Sequence, residues 1–119
     1  MRAHPASAAV QEQACTALCT ITHGAGVQGD ARAQAAVAAG ALPQIVAAMR
    51  AHPASAAVQK QACLALRNIT AGAGAQGDAR AQAAVDAGAL PLVVAAMRAH
   101  PASAAVQKQA CLALRNITA

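Results

Sequence analysis

The sequence predicts an all-α fold, a right-handed α-solenoid of three-helix repeats. Two observations support this prediction: the chain has no Phe, Tyr or Trp, and a 48-residue unit recurs along its 119 residues. Its apolar residues are mostly Ala, the strongest helix former, whereas strands favour aromatic and β-branched residues. Each buried Ala removes little apolar area from water, so we expect modest stability for this chain length.

The repeat is visible in the sequence itself. The string Met-Arg-Ala-His-Pro-Ala-Ser-Ala-Ala-Val-Gln occurs three times, 48 residues apart, and residues 49–71 and 97–119 are identical. The chain therefore divides into a partial repeat, 1–23, which holds only a third helix, and two complete repeats, 24–71 and 72–119. Together they form one solenoid domain. Such near-identity indicates either recent duplication or deliberate design.

Turn residues divide each complete unit into three helices. In the last unit, Asp78 follows a Gly-rich connector and is predicted to cap a short first helix, which Gly88 ends in the left-handed conformation. Pro91 suits the first turn of a second helix, a His-Pro pair stops that helix, and Ser103 caps a third. The same signals occur one unit earlier. The predicted helices span about 5–22, 31–39, 42–51, 55–70, 79–87, 90–99 and 103–118.

The third helix of each unit has an apolar stripe. Val58, Ala62, Leu66 and Ile69 fall at i, i+4, i+8 and i+11, which places them on one helical face. The polar residues off that stripe are expected to face solvent or the next helix: Lys60, Gln61, Arg67 and Asn68.

Two segments resemble the armadillo repeat family. They are Gly-Ala-Leu-Pro-Gln-Ile-Val at 40–46 and Val-Gln-Lys-Gln-Ala-Cys-Leu-Ala-Leu-Arg-Asn-Ile at 58–69. HEAT repeats have two helices per unit, and the Asp-capped first helix favours three. The resemblance covers the chain outside the Gly-rich connectors, and it implies a protein-binding scaffold rather than an enzyme.

The resemblance also implies a site. In this family the third helices line a concave groove that holds extended peptides, and an Asn near the end of each third helix hydrogen-bonds the peptide backbone. Asn68 and Asn116 match that position, so we expect their side chains to be accessible on the concave surface and free, or bonded to a ligand or a neighbouring chain. Importin-alpha-like members carry a Trp one turn earlier, and Leu in its place removes any cation–π cage. The implied peptide-binding residues are Asn68, Asn116, Arg67, Arg115, Lys60, Lys108, Gln61, Gln109, Leu64 and Leu112, whose cations favour an acidic peptide.

A metal site is the alternative for the first third helix. Cys15, Cys19 and His23 are spaced i, i+4 and i+8, which could place three zinc or copper ligands on one face. However, Cys15 occupies the same repeat position as Cys63 and Cys111, in an apolar helical context, and no fourth ligand is evident. We therefore expect small core residues and no cofactor.

The remaining motifs do not indicate a catalytic site, a modification site or a phosphate-binding site. His4, His52 and His100 each precede a proline at a turn, and we expect exposed side chains along one edge. Asn-Ile-Thr at 68–70 and 116–118 is the N-glycosylation pattern, but its place on a helix favours a role in the groove. Serines occur only in the repeated Pro-Ala-Ser turn, and the connectors lack a Gly-Lys-Ser/Thr phosphate loop. No enzymatic activity is predicted.

The net charge of the chain and the types of residue it lacks predict which partners it binds. The formal net charge is +5 and the basic residues are evenly spread, which favours acidic partners. The absence of aromatic side chains that stack on bases disfavours nucleic acid as a partner.

No apolar segment has the length of a signal peptide or membrane span, so we expect an intracellular, cytoplasmic protein. Without capping repeats, we expect self-association into a homo-oligomer, either head to tail or by pairing of like ends.

Overall fold

Helices make up the regular structure of the part of the chain that the structure describes. The computed structural model describes residues 8–22, 26–71 and 74–118, and no strand occurs in those ranges. The helices are α1 (Ala8–Thr22), α2 (Gly26–Ala38), α3 (Ala41–Ala51), α4 (Ala56–Thr70), α5 (Gly74–Asp86), α6 (Ala89–Ala99) and α7 (Ala104–Thr118). The predicted all-α solenoid of three-helix units is therefore confirmed. None of these helices is long and apolar enough to cross a membrane.

The predicted boundaries of the second and third helices are confirmed to within one residue, apart from the predicted start of the first helix at about residue 5, which lies outside the described residues. The Ser55 hydroxyl accepts a hydrogen bond of 3.2 Å from the Val58 backbone N–H and caps α4, and Ser103 caps α7 in the same way. Gly40 and Gly88 have φ values of 88° and 87°, in the left-handed region that favours glycine. They make the sharp turn between the first and second helices of their units.

The first helices are longer than predicted. α2 and α5 begin at Gly26 and Gly74, inside the Gly-rich connectors, so the prediction that Asp30 and Asp78 are N-caps is wrong. Each has 13 residues against 11 in α3 and α6, so the first helix is not the shortest. A helical glycine costs about 1 kcal/mol relative to alanine. Packing of α2 and α5 against the third helices outweighs this cost, because propensity is a weak prior against tertiary contact.

The third helices form the central layer of the stack. α4 lies between α1 and α7 and makes its most extensive contacts with them, while the first and second helices of each unit pack beside this layer. One apolar cluster runs from Cys15 to Ile117 through all three units. Each unit therefore buries its apolar face against its neighbour, as expected of a solenoid.

Two buried polar side chains, neither of them predicted from the sequence, join helix ends together. The Gln59 side-chain amide donates to two carbonyl oxygens at the C-terminal end of α3, both at 3.0 Å. Arg80 is only 1 % exposed. Its Nε donates to the Ile69 carbonyl oxygen at 2.7 Å, and its Nη2 donates to that of Ala71 at 3.0 Å. Both side chains satisfy carbonyl groups that a helix leaves unpaired at its C-terminal end.

Candidate functional site

The candidate site is one face of the third helices, called the third-helix face below. Between residues 58 and 70, α4 has five residues that are not buried: Lys60, Gln61, Leu64, Arg67 and Asn68. Their spacing of i, i+1, i+4, i+7 and i+8 places them on one side of the helix. α7 supplies the equivalents Lys108, Gln109, Leu112, Arg115 and Asn116. The structure thus brings the ten sequence-predicted side chains onto two adjacent helices, and peptide binding by them stays a prediction.

Asn68 and Asn116 use their side-chain amides within the chain. The Asn116 amide nitrogen donates to the Arg67 carbonyl oxygen at 3.0 Å, and that of Asn68 donates to the Cys19 carbonyl oxygen at 3.2 Å. Both side chains are half-buried at the surface rather than in the core. The expectation that they are free is wrong for the amide nitrogen, because the preceding third helix lies close enough to offer a carbonyl. Neither amide oxygen has a donor among the residues that the structure describes.

A second row of hydrogen bonds crosses the same face. The Arg67 Nη1 donates to the Gln109 side-chain oxygen at 3.1 Å. In α1 the position of Arg67 is held by Cys19, whose Sγ donates to the Gln61 backbone carbonyl oxygen at 3.2 Å. A guanidinium has five N–H donors, so Arg67 is held in place by one contact and keeps donors for a carboxylate. The two rows join neighbouring third helices into one continuous surface.

Charge is unevenly distributed over the third-helix face. α4 and α7 each contribute one lysine and one arginine: Lys60, Arg67, Lys108 and Arg115. α1 instead has Glu12 at the lysine position and Cys19 at the arginine position. The basic half of the face therefore lies over α4 and α7, and the half over α1 bears a carboxylate.

The partial repeat differs from the complete ones on this same face. Residues 1–23 and 49–71 differ at five positions, numbered 12, 16, 19, 20 and 23 in the first copy. The first four are equivalent to Lys60, Leu64, Arg67 and Asn68 of the third-helix face. The positions that α4 buries are identical in both copies. Variation between third helices is thus concentrated on the exposed face, while the core is kept.

The metal-site alternative gains no support from the described residues. Cys15 and Cys19 are both buried, and burial raises the pKa of Cys15 to about 12 and that of Cys19 to about 11. His23 lies outside the described residues, so the three-ligand set as a whole is not tested. Within the described ranges, no three His, Cys, Asp or Glu side chains come together as a metal-binding group.

The four cysteines do not share one environment. Cys15, Cys19 and Cys63 are free thiols in the core, as expected, and burial also raises the pKa of Cys63 to about 12. Cys111 is exposed, so its assignment to the core is wrong. The reason is positional: α7 packs over the side of α4 that holds Cys63, and no described element of the chain covers that side of α7.

The turn histidines are less exposed than predicted. His52 and His100 are both half-buried. The His100 Nε2 lies 2.9 Å from the Pro53 carbonyl oxygen, and because a carbonyl only accepts, Nε2 carries the proton and donates. This contact joins the turns of successive units. His4 lies outside the described residues.

One comparison with known proteins gives a match. A family model described as the armadillo/β-catenin-like repeat matches residues 30–71 and 78–119, which is more than half of the chain. Both matched ranges include a complete second and third helix, and with them the third-helix face of α4 and α7. No curated protein and no solved structure matches the chain.

Proposed function

The chain belongs to the armadillo/β-catenin-like repeat family, and from that premise we propose that it is a protein-binding scaffold whose third-helix face holds an extended acidic peptide. The observation that carries this proposal is the row of partly exposed residues that repeats from α4 to α7 with a lysine and an arginine in each helix. Holding a peptide requires no catalytic group, and the proposal includes the absence of enzymatic activity.

The third-helix face offers three kinds of contact to such a peptide. Lys60 and Lys108 supply cations for carboxylates, and Arg67 adds a guanidinium that Gln109 already orients. Leu64 and Leu112 supply half-buried apolar surface for aliphatic parts of the peptide. The amide oxygens of the two asparagines can accept hydrogen bonds from peptide N–H groups.

The charge distribution also sets where the carboxylates of the peptide bind. Glu12 on α1 repels an acidic residue, whereas the cations of α4 and α7 attract one. The acidic part of the ligand therefore lies over α4 and α7. Replacement of Glu12 by lysine would extend the basic row by one helix and strengthen binding.

Fluorescence anisotropy with two labelled peptides tests the proposal. An Asp/Ala peptide should bind with an affinity that falls as salt is added, and a Lys/Ala peptide of equal length should not bind. Lys60→Ala and Lys108→Ala should each weaken binding by roughly fivefold, which corresponds to about 1 kcal/mol. Arg50→Ala is the matched control, because it removes an exposed cation from α3, away from this face. Equal binding of the two peptides, or an equal loss in the control, would contradict the proposal.

The asparagines provide a second test of the same site. Asn68→Ala together with Asn116→Ala should weaken the acidic peptide by about 1 kcal/mol or more for each lost hydrogen bond. Glu12→Lys should have the opposite effect and tighten binding. An unchanged affinity in both variants would place the peptide elsewhere on the protein.

A second candidate function is a structural repeat, duplicated or designed, that assembles with copies of itself and has no evolved ligand. The identity of residues 49–71 and 97–119 favours it, because a groove shaped for one ligand would vary from unit to unit. The exposure of apolar side chains on α6 and α7 that are buried in α3 and α4 also favours it. Light scattering over a concentration series should then show a rising mass, and both peptides should fail to bind. A constant monomer mass would rule this candidate out.

A further inference from the structure

The charge of the third-helix face changes sign between α1 and α4. Glu12 is the only charged residue of α1 and stands at the position of Lys60, while Cys19 stands at the position of Arg67. α7 repeats the lysine and the arginine of α4. The positions that α4 buries hold the same residue types in α1, so packing of the core does not require the change. The change therefore alters the charge that the face presents to a ligand.

The carboxylate of Glu12 is unpaired among the residues that the structure describes. The Glu12 side chain is half-exposed, and the Thr16 hydroxyl donates to its backbone carbonyl oxygen at 2.8 Å rather than to the carboxylate. In the same ranges, the Lys60 ammonium on the neighbouring helix has no ion-pair or hydrogen-bond partner either. The two opposite charges therefore do not neutralise each other by direct contact, and both remain available to a ligand.

The three third helices are close enough for one extended segment to contact them all. Asn68 donates to a carbonyl oxygen of α1 at 3.2 Å, and Asn116 donates to one of α4 at 3.0 Å. Helices packed this closely have axes roughly 8–10 Å apart, and an extended chain advances about 3.3 Å per residue. Successive third helices therefore meet about every third residue of a bound segment.

We propose that the third-helix face binds a protein segment of mixed charge, with a lysine or arginine over α1 and acidic residues over α4 and α7. Glu12 determines this specificity, because it attracts a cation and repels a carboxylate. The inference rests on the proposed function and adds the part of the ligand that lies over α1. A wholly acidic segment would place a carboxylate beside Glu12, and a wholly basic one would place cations beside those of α4 and α7, so a mixed segment is the best electrostatic complement.

Fluorescence anisotropy with labelled peptides of identical composition and blocked termini tests the order of charges. Their sequences are Lys-Ser-Ser-Glu-Ser-Ser-Glu, Glu-Ser-Ser-Glu-Ser-Ser-Lys and Glu-Ser-Ser-Lys-Ser-Ser-Glu. Both directions of a peptide chain satisfy the order of charges on the face, so the first two peptides cover one direction each. One of them should bind roughly threefold more tightly than the other, because its lysine alone lies over Glu12. The third should bind most weakly, because its lysine faces the cations of α4 or α7.

Glu12→Gln is the decisive variant, because it removes the charge of this side chain and keeps its shape. In this variant the two end-lysine peptides should bind with equal affinity. Asp78→Asn is the matched control: it removes an exposed carboxylate from α5, outside the third-helix face, and should leave the preference unchanged. Carbodiimide coupling on the unmodified protein gives a second readout. The lysine of the preferred peptide should form an amide bond with Glu12 rather than with Asp78 or Asp86, as located by mass spectrometry.

The outcomes separate this inference from the proposed function. Equal binding of the two end-lysine peptides to the unmodified protein, or a preference that persists in Glu12→Gln, overturns the role of Glu12. The acidic-peptide proposal then still stands if Lys60→Ala weakens binding. An amide bond at Asp78 or Asp86 instead of at Glu12 also overturns the inference. Failure of these peptides and of the Asp/Ala peptide to bind overturns both proposals.

Discussion

The side-chain amide nitrogen of Asn116 lies 3.0 Å from the backbone carbonyl oxygen of Arg67, on the neighbouring third helix. Asn68 and Cys19 are related in the same way one unit earlier, at 3.2 Å. The family resemblance implies that these two asparagines bind a ligand, and their hydrogen bonds show that they also join adjacent repeats. The amide nitrogen serves packing, and the amide oxygen remains for the proposed peptide.

Loss of this contact should lower stability even without a ligand. Asn116→Ala is expected to reduce the free energy of unfolding by about 1 kcal/mol, because it removes one partly buried hydrogen bond. Urea denaturation followed by circular dichroism at low protein concentration measures the change. Gln82→Ala is the control, since its amide bonds to Asp86 on an exposed helix surface and its loss should cost about 0.5 kcal/mol or less. Equal losses in the two variants would show that Asn116 does not join the repeats energetically.

Arg80 should be among the most sensitive positions to substitution. Arg80→Ala leaves two carbonyl oxygens at the end of α4 without their donor and opens a cavity, so we expect a loss of about 3 kcal/mol in unfolding free energy. Arg32 occupies the same repeat position but is exposed, so Arg32→Ala should cost clearly less, about 1 kcal/mol or less in dilute solution. Chemical denaturation of the matched pair checks the prediction. A similar loss in both would mean that burial at this position is not what makes the arginine important.

Two glutamines donate hydrogen bonds to the ends of the second helices. Because they differ in burial, their replacement should lower the free energy of unfolding by different amounts. Gln59 and Gln107 each donate two hydrogen bonds to equivalent carbonyl oxygens, but Gln59 is buried and Gln107 is only half-buried. Gln59→Ala should cost about 2 kcal/mol, because water cannot easily replace the lost donors, and Gln107→Ala about 1 kcal/mol. Thermal unfolding of the two variants gives the comparison. The reverse order would show that solvent access does not set the cost.

The buried thiols should make stability fall at alkaline pH. Burial raises the pKa of Cys15 and Cys63 from 9.0 to about 12, so an unfolded chain releases these protons at lower pH than the folded chain. Their contribution is fully present below pH 9 and is lost as the pH rises from 9 through about 12. The slope approaches about 1.4 kcal/mol per pH unit for each thiol. The chain has no tyrosine, so no phenol titrates in the same window.

Urea denaturation under reducing conditions at several pH values measures this slope. Cys63→Ala should make the dependence of unfolding free energy on pH shallower, because it removes the contribution of one thiol. Ala62→Gly, on the same helix, should lower stability at every pH alike and leave the slope unchanged. A slope that does not change in Cys63→Ala would exclude that thiol as a source of the pH dependence.

The sequence by itself determined the helical class, the 48-residue unit and most of the turns. These features depend on contacts between residues close in the chain: the Ser55 side chain caps a helix three residues later, and Gly40 turns the backbone where a side chain would strain it. The row from Lys60 to Asn68 could likewise be placed on one face from its helical spacing alone. Local periodicity was sufficient for these predictions.

Only the tertiary structure decided which of these residues are covered and what they bond to. Residues 49–71 and 97–119 are identical in sequence, yet Cys63 is fully buried and Cys111 is exposed. Arg32 and Arg80 have nearly the same local sequence and opposite exposure. In each case the deciding contact comes from an element in an adjacent unit, and a segment of sequence does not specify whether that neighbour is present.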